Sequence, residues 1–165
     1  MFIRIKKIKN NNYAYLVENT WKKRKQSSRQ IVKKYLGKII EIKKKKDEPY
    51  PTLENKNFQE SVLILLTWQL KQCGFSESNG KLALQEIIID LEHKNIEREK
   101  KEIVLKLNEG YLSNYSLQKI LTFKGKGYEE EVGLQLAEHI VNVGLDIPKE
   151  LFVQLFEKIY QAPEE

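Results

Sequence analysis

The chain opens on a basic and aromatic stretch, residues 2–40, which reads FIRIKKIKNNNYAYLVENTWKKRKQSSRQIVKKYLGKII. In its first part, β-branched and aromatic residues nearly alternate with charged ones, which is typical of a half-exposed strand. The three asparagines at 10–12 tolerate left-handed backbone angles and therefore predict a turn. Residues 2–9 and 13–19 are expected to form a β-hairpin around that turn.

A third strand is expected over residues 29–36, after a basic loop at 21–28. Residues 38–42 predict a short extension of this strand. Three strands of this length are about the minimum for an independently stable sheet. One face of the sheet would therefore need cover from the rest of the chain.

The charge of the chain is divided between two opposite parts. The first 46 residues contain 16 Lys or Arg and two acids, a net charge of +14, whereas residues 47–165 contain 13 basic and 21 acidic side chains, a net charge of −8. A split of this size suggests that the first part meets a polyanion. Lysines at 43–46, followed by prolines at 49 and 51, mark a boundary. The expected domains are a basic β-strand module at 1–46, a linker at 47–56 and a helical bundle at 57–165.

From residue 57 the apolar pattern takes a helical period. Asn57 and Glu60 have the spacing of a capping box, and apolar residues from Phe58 to Cys73 trace one helix face. Further helices are predicted over about 78–92, around 103–107, over 114–123 and 128–143, and after Pro148. The predicted fold class is α+β: a small basic antiparallel three-stranded β module followed by an all-α helical bundle of five or six helices.

About the first forty residues resemble the N-terminal module of DDE-type insertion-sequence transposases. The resemblance rests on Phe2, Arg4, Lys6, Tyr15, Leu16, Val17, Glu18, Asn19, Arg29, Tyr35, Leu36 and Gly37. It implies a similar hairpin, a strand that contains the YLG sequence, and binding to the ends of a DNA element. Those transposases continue into an RNase H-like catalytic domain, whose βαβ pattern is not evident here. The resemblance therefore implies the end-binding type of module without the nuclease.

The basic module is expected to bind nucleic acid, with DNA favoured over RNA. Lys and Arg neutralise phosphates and release counterions, and the interleaved aromatic side chains can stack on bases. Alternation would place Lys33 and Tyr35 on one face of the third strand and Lys34 on the other. The candidate contacts are Arg4, Lys6, Lys7, Tyr15, Trp21, Lys22, Lys23, Arg24, Lys25, Arg29, Lys33, Lys34 and Tyr35.

Two alternatives to DNA binding stay open at this stage. One is an adaptor that acts through the acidic part, with a homodimer or protein-partner surface on the helices of 57–161. In that case the basic module would dock on an acidic protein or fold back on the chain's own acidic part. The other is RNA binding by the same basic surface.

An enzyme is not expected. The glycines at 125 and 127 are too few for a phosphate-binding loop, and the pattern shows no nucleophile–base arrangement. A single cysteine, Cys73, excludes an internal disulfide and a Cys-based zinc site, so no cofactor or metal is expected. The sequence has no apolar run of about 18 residues, which predicts a protein of the cytoplasm without a membrane span.

Overall fold

The computed structural model describes residues 1–160, in which strands and helices alternate in groups. Three strands come first, then a helix, six further strands and three helices. The strands are β1 (Phe2–Ile8), β2 (Asn11–Lys22), β3 (Ser27–Glu41), β4 (Ser76–Ser78), β5 (Lys81–Leu84), β6 (Ile87–Asp90), β7 (Asn95–Arg98), β8 (Lys101–Leu107) and β9 (Gly110–Leu112). The α-helices are α1 (Phe58–Gln72), α2 (Asn114–Leu121), α3 (Glu129–Asn142) and α4 (Lys149–Ile159).

The predicted fold class is wrong in its second half. Residues 1–160 form one mixed sheet of nine strands and four α-helices, not a small three-stranded module with five or six helices. The segment 76–112, predicted to be helical over 78–92 and around 103–107, forms β4 to β9. The physical reason lies in the turns. Each link between these strands has a residue in the left-handed region: Asn79, Gln85, Lys94, Glu99 with Lys100, and Asn108.

Of the other predicted elements, the loop expected at 21–28 is wrong in its bounds, because β2 continues to Lys22 and β3 begins at Ser27, whereas the first hairpin, α1 and the later helices are confirmed. β1 and β2 form the expected hairpin, in a register that runs from Phe2 opposite Val17 to Ile8 opposite Asn11. At the start of α1, Asn57 and Glu60 form the expected capping box, with the Glu60 amide donating to Asn57 Oδ1 at 2.8 Å. α2, α3 and α4 lie where the later helices were predicted.

β8 joins the N-terminal strands to the rest of the sheet. The strand order is β1-β2-β3-β8-β7-β6-β5-β4, and β9 pairs with the end of β8. Residues 38–41 of β3 run parallel to residues 103–106 of β8, whereas the other pairings are antiparallel. A parallel pair needs a long crossover, which here contains α1 and the strands β4 to β7.

β8 is buried on both faces and separates two apolar clusters. Ile103, Leu105 and Leu107 belong to the main core, which includes apolar side chains of all four helices. Val104 lies on the other face, in a smaller cluster with Ala14, Leu16 and Leu36, against which Ile3, Ile5, Ile39, Tyr111 and Tyr115 pack. One face of β1–β3 is therefore covered by the rest of the chain, as three strands of this kind require.

Gly37 is required where β3, which is still paired with β2, first approaches β8. Its φ angle is +139°, a conformation that L side chains rarely adopt. A Cβ atom at this position would lie 2.6 Å from the Glu102 carbonyl oxygen and 2.9 Å from the Ile103 Cα. The close approach of β3 to β8 therefore depends on glycine at this position.

We predict that Gly37→Ala lowers the free energy of unfolding by about 2–3 kcal/mol, because it combines backbone strain with a backbone clash. Gly80→Ala is the matched control, since Gly80 also has a positive φ (+74°) but no atom within 4 Å of its Cβ position. Gly80→Ala should lower the free energy of unfolding by only about 1 kcal/mol, the cost of placing an L residue in the left-handed region. Urea unfolding of both variants measures the difference, and equal losses would contradict a tight β3–β8 junction.

Candidate nucleic-acid interface

β2 and β3 extend beyond the sheet as a two-stranded ribbon. β1 pairs with β2 only as far as Val17, and β8 pairs with β3 only from Lys38. Between these limits, residues 18–22 and 27–31 pair only with each other, and Val32 and Lys34 pair with Val17 and Leu16 at the edge of the sheet. We call residues 18–34 the ribbon arm. Residues 21–35 are all exposed. Residues 18–22 alone extend about 16 Å, at about 3.3 Å per residue.

The ribbon arm is strongly basic. It contains seven Lys or Arg and one acid, Glu18, for a net charge of +6. Four of the cations lie consecutively at the tip, at positions 22–25, where residues Lys23–Lys25 form a 3₁₀ turn. Gln26 completes the tip in a left-handed conformation, with φ of 45°. The tip therefore concentrates positive charge at the point farthest from the sheet.

Three of the 16 cations of the N-terminal part form ion pairs with the acidic part within residues 1–160. Within residues 1–160, the ion pairs of the first 46 residues join Lys33 to Glu18, Lys34 to Glu102, Lys44 to Asp47 and Lys46 to Glu48. Only one of these pairs, at 3.8 Å, links the ribbon arm to an acid beyond residue 46. In the described part of the chain, the tip cations have no carboxylate partner. Their charge is therefore available to a polyanion.

Two irregularities in β3 decide which side chains share a face of the arm. The register with β2 shifts between Ala14 and Tyr15 and between Leu16 and Val17, so that Lys33 and Leu36 are extra residues in β3. Lys33 Nζ lies 2.8 Å from the Glu18 carboxylate, whereas Tyr35 packs against Tyr15. Glu18 and Tyr15 lie on opposite faces of β2, because they are three residues apart. The prediction that Lys33 and Tyr35 share a face is therefore wrong.

The Lys33–Glu18 pair also changes the acidity of the single acid in the arm. The pKa of the Glu18 carboxyl is lowered, first by the hydrogen bond from Lys33 and then by the lysine's charge. Glu18 therefore stays ionised at lower pH than an ordinary glutamate. It offsets one of the seven positive charges of the arm.

Next to the arm, the outer face of β1–β3 carries cations interleaved with tyrosines. The ring centroid of Tyr35 lies 5.2 Å from that of Tyr15 and 6.4 Å from that of Tyr13. Lys6 Nζ lies 5.0 Å from the Tyr15 ring centroid, and Arg4 is the register partner of Tyr15. We call these five residues the aromatic face. Tyr35 is half exposed, so its ring is available for stacking.

The environment of Tyr35 raises its pKa. The largest cause is partial burial among its neighbours, followed by the charges that Tyr15 and Tyr13 would carry if ionised. The Tyr35 hydroxyl therefore stays protonated throughout the neutral range. It can donate a hydrogen bond to a phosphate or a base.

The structure divides the sequence-predicted contact residues between two adjoining surfaces. The aromatic face contains Arg4, Lys6, Tyr15 and Tyr35. The arm contains Trp21, Lys22, Lys23, Arg24, Lys25, Arg29, Lys33 and Lys34, and Trp21 is 65% exposed. Lys7 is exposed but lies on the alternate face of β1, opposite Asn12. The register of β2 and β3 also brings together Asn19 and Gln30, which sequence reasoning did not place side by side.

A cavity of about 210 Å³ lies away from the ribbon arm, at the carboxyl ends of the parallel strands β3 and β8. Its lining includes Glu41, Ile42, Trp68, Gln72, Cys73 and Lys106. The Cys73 thiol is almost fully buried, and burial raises its pKa against the opposing effect of the Lys44 and Lys45 charges. Cys73, directly after α1, is therefore a packed, protonated thiol.

The function of this chain follows neither from a metal site in residues 1–160 nor from similarity to a known protein. Within residues 1–160, no group of three or more His, Cys, Asp or Glu side chains is placed to hold a metal ion. None of the four helices described in this range has the length and apolar character that crossing a membrane requires. Comparison with protein-family models, curated proteins and solved structures finds no match. The function is therefore inferred from the interface itself.

We predict that Cys73 reacts slowly with Ellman's reagent in the native protein and rapidly after unfolding, because the thiolate is the reactive form and burial disfavours it. The native rate should rise with pH up to values above the usual thiol pKa. Cys73→Ala gives the background, since the chain has one cysteine. A native rate equal to that of the unfolded chain would contradict the burial of this side chain.

Proposed function

We propose that this protein binds duplex DNA by placing the ribbon arm in the major groove. The observation that carries the proposal is a two-stranded ribbon, free of other strands, with a net charge of +6. The B-DNA major groove is about 12 Å wide and about 8.5 Å deep and admits a two-stranded β-ribbon. Since residues 18–22 extend about 16 Å, the arm is long enough to reach the floor of the groove.

The cations of the arm and the aromatic face supply the affinity in this proposal. Each lysine or arginine that neutralises a phosphate releases condensed counterions, which makes binding steeply dependent on salt. The tip residues 22–25 reach one side of the groove, and Arg4 and Lys6 lie at the base of the arm beside Tyr15. The aromatic face then contacts the sugar-phosphate backbone next to the groove.

Duplex DNA is preferred over duplex RNA in this proposal because the major groove of B-DNA is wide enough for the ribbon arm. A-form RNA has a deep and narrow major groove that side chains cannot read. A single strand bound by stacking on Tyr13, Tyr15 and Tyr35 is the second candidate, and the aromatic face is the observation that favours it. Duplex, single-stranded DNA and RNA probes distinguish the three cases.

The biological setting is part of the same proposal. The resemblance of about residues 1–40 to transposase end-binding modules supports a role on DNA of mobile-element origin. We propose a binding role without catalysis. The proposed compartment is the cytoplasm, where the free buried thiol of Cys73 is stable.

We predict that replacing Lys22, Lys23, Arg24 and Lys25 together by alanine weakens duplex binding at least about tenfold. The slope of log affinity against log salt should fall by about one for each phosphate that the variant no longer neutralises. Fluorescence anisotropy of a labelled duplex of about 20 bp, from about 50 to about 200 mM NaCl, measures both quantities.

The matched control replaces Lys43, Lys44, Lys45 and Lys46 by alanine. These four exposed residues carry the same charge but lie beyond the other end of β3. The control should keep most of the affinity and of the slope. Equal losses in both variants would mean that net charge, not the arm, determines binding, and absence of duplex binding by the unmodified chain would overturn the proposal.

We predict that Glu18→Gln strengthens duplex binding about two- to threefold at low salt. The change removes the acid of the arm and frees Lys33, whose exposed ion pair contributes little to stability. Glu150→Gln, an exposed acid on α4, is the control with the same change in net charge. Anisotropy titrations compare the two, and an equal gain in both would argue against a contact at the arm.

A further inference from the structure

We infer that Asn19 and Gln30 form a base-reading pair that selects adenine in the major groove. The inference rests on the proposed duplex binding by the ribbon arm and adds a sequence preference to it. Neither residue carries charge, so neither contributes to the salt-dependent attraction of phosphates. Their role would be to determine which duplex is bound, and not how strongly duplexes in general are bound.

The register of the arm places the two amides side by side. Asn19 of β2 is the direct cross-strand partner of Gln30 of β3, and directly opposed residues project from the same face with Cβ atoms about 5 Å apart. Both side chains are exposed. In the described part of the chain, the side chain of Asn19 has no hydrogen-bond partner, so its donors and acceptor are available to a ligand.

Arg4 fixes the direction of the Gln30 amide. Arg4 Nη1 donates a hydrogen bond of 2.6 Å to Gln30 Oε1, which leaves the two Nε2 hydrogens and one lone pair of Oε1 free. Arg4 is the register partner of Tyr15, so this bond also joins the amide pair to the aromatic face. Arg4 is thus a positioning residue for Gln30.

The chemistry of an amide matches one base better than the others. Adenine presents an N7 acceptor next to an N6 amino donor in the major groove, and the carboxamide of Asn or Gln pairs with both at once. Guanine presents two acceptors there, so the amide oxygen would face another oxygen. Two neighbouring amides therefore favour sites with adenines at two nearby positions.

The other groups of the arm lie beside this pair and do not duplicate its role. The next cross-strand pair towards the tip is Thr20 and Arg29, and the Thr20 hydroxyl already donates to the Arg29 carbonyl oxygen at 3.2 Å. Beyond it, Trp21 lies opposite Ser28. Asn19 and Gln30 are therefore a pair of uncharged hydrogen-bonding amides near the base of the arm, beside the aromatic face.

The test selects binding sites from a pool of random duplexes with the full chain and with the double variant Asn19→Ala, Gln30→Ala. The unmodified chain should enrich adenine at fixed positions, and the variant should lose that enrichment. On an unselected duplex the two proteins should bind within about twofold of each other, because the phosphate contacts remain. On the selected duplex the variant should lose on the order of tenfold in affinity or more.

A chemical probe tests the contact from the DNA side. Replacing the enriched adenines by 7-deazaadenine removes the N7 acceptor and keeps the base pair, so the unmodified chain should lose affinity for this probe. The double variant should not distinguish the probe from the ordinary duplex. Arg4→Ala should reduce the preference at one of the enriched positions, because Gln30 loses its fixed orientation.

Asn12→Ala is the matched control, since Asn12 is another exposed asparagine of β2 but lies opposite Lys7, outside the arm. This variant should enrich the same sites as the unmodified chain. The inference is overturned if the double variant enriches the same sites, or if the unmodified chain binds duplex DNA with no preferred base. In both of those cases the proposed DNA binding stands, whereas failure to bind any duplex overturns both.

Discussion

The parallel pairing of residues 38–41 of β3 with residues 103–106 of β8 is the constraint on which the rest of the structure depends. β8 is buried on both faces, so its position is fixed by two apolar clusters at once. The Ile42 amide continues the pairing with a hydrogen bond of 3.0 Å to the Lys106 carbonyl oxygen. β3 is one strand of 15 residues, of which one end is held in this sheet and the other forms half of the ribbon arm. The anchored end therefore determines how the free end is presented.

The exposed strand edges of the ribbon arm could pair with other chains, and the basic composition of the arm opposes this. Residues 18–34 leave strand edges without a neighbouring strand, and such edges tend to pair with other chains. Lysine and arginine along the arm oppose that pairing by mutual repulsion, and the bulge at Lys33 interrupts the regular edge. The same cations attract phosphates. One set of side chains thus keeps the free arm from self-association and prepares it for a polyanionic ligand.

The sequence predicted the parts of the fold that local signals determine. Asn57 with Glu60 marked the start of α1, and the asparagines at 10–12 marked the first turn only approximately, since it lies at Lys9 and Asn10 with Lys9 as the left-handed residue. The strands β5 and β6 and residues 103–107 of β8 were misread as helices, although Asn79-Gly80 is a strong hairpin signal and Ile87-Ile88-Ile89 is rich in β-branched residues. The parallel contact of β3 with β8 and the bulges in β3 could not be predicted, because they depend on residues distant in the chain. The basic residues of the proposed interface were therefore suggested by composition, whereas the pairing of Asn19 with Gln30 emerges only from the register of β2 and β3.

A chemical-shift map of the full ¹⁵N-labelled chain, with and without a duplex of about 20 bp, tests the account most directly, because it reports on every backbone amide under one condition. The account predicts that shifts change in the ribbon arm and on the aromatic face, and that α3 and α4 are unaffected. Changes confined to the acidic helices, or no changes at saturating duplex, would contradict it.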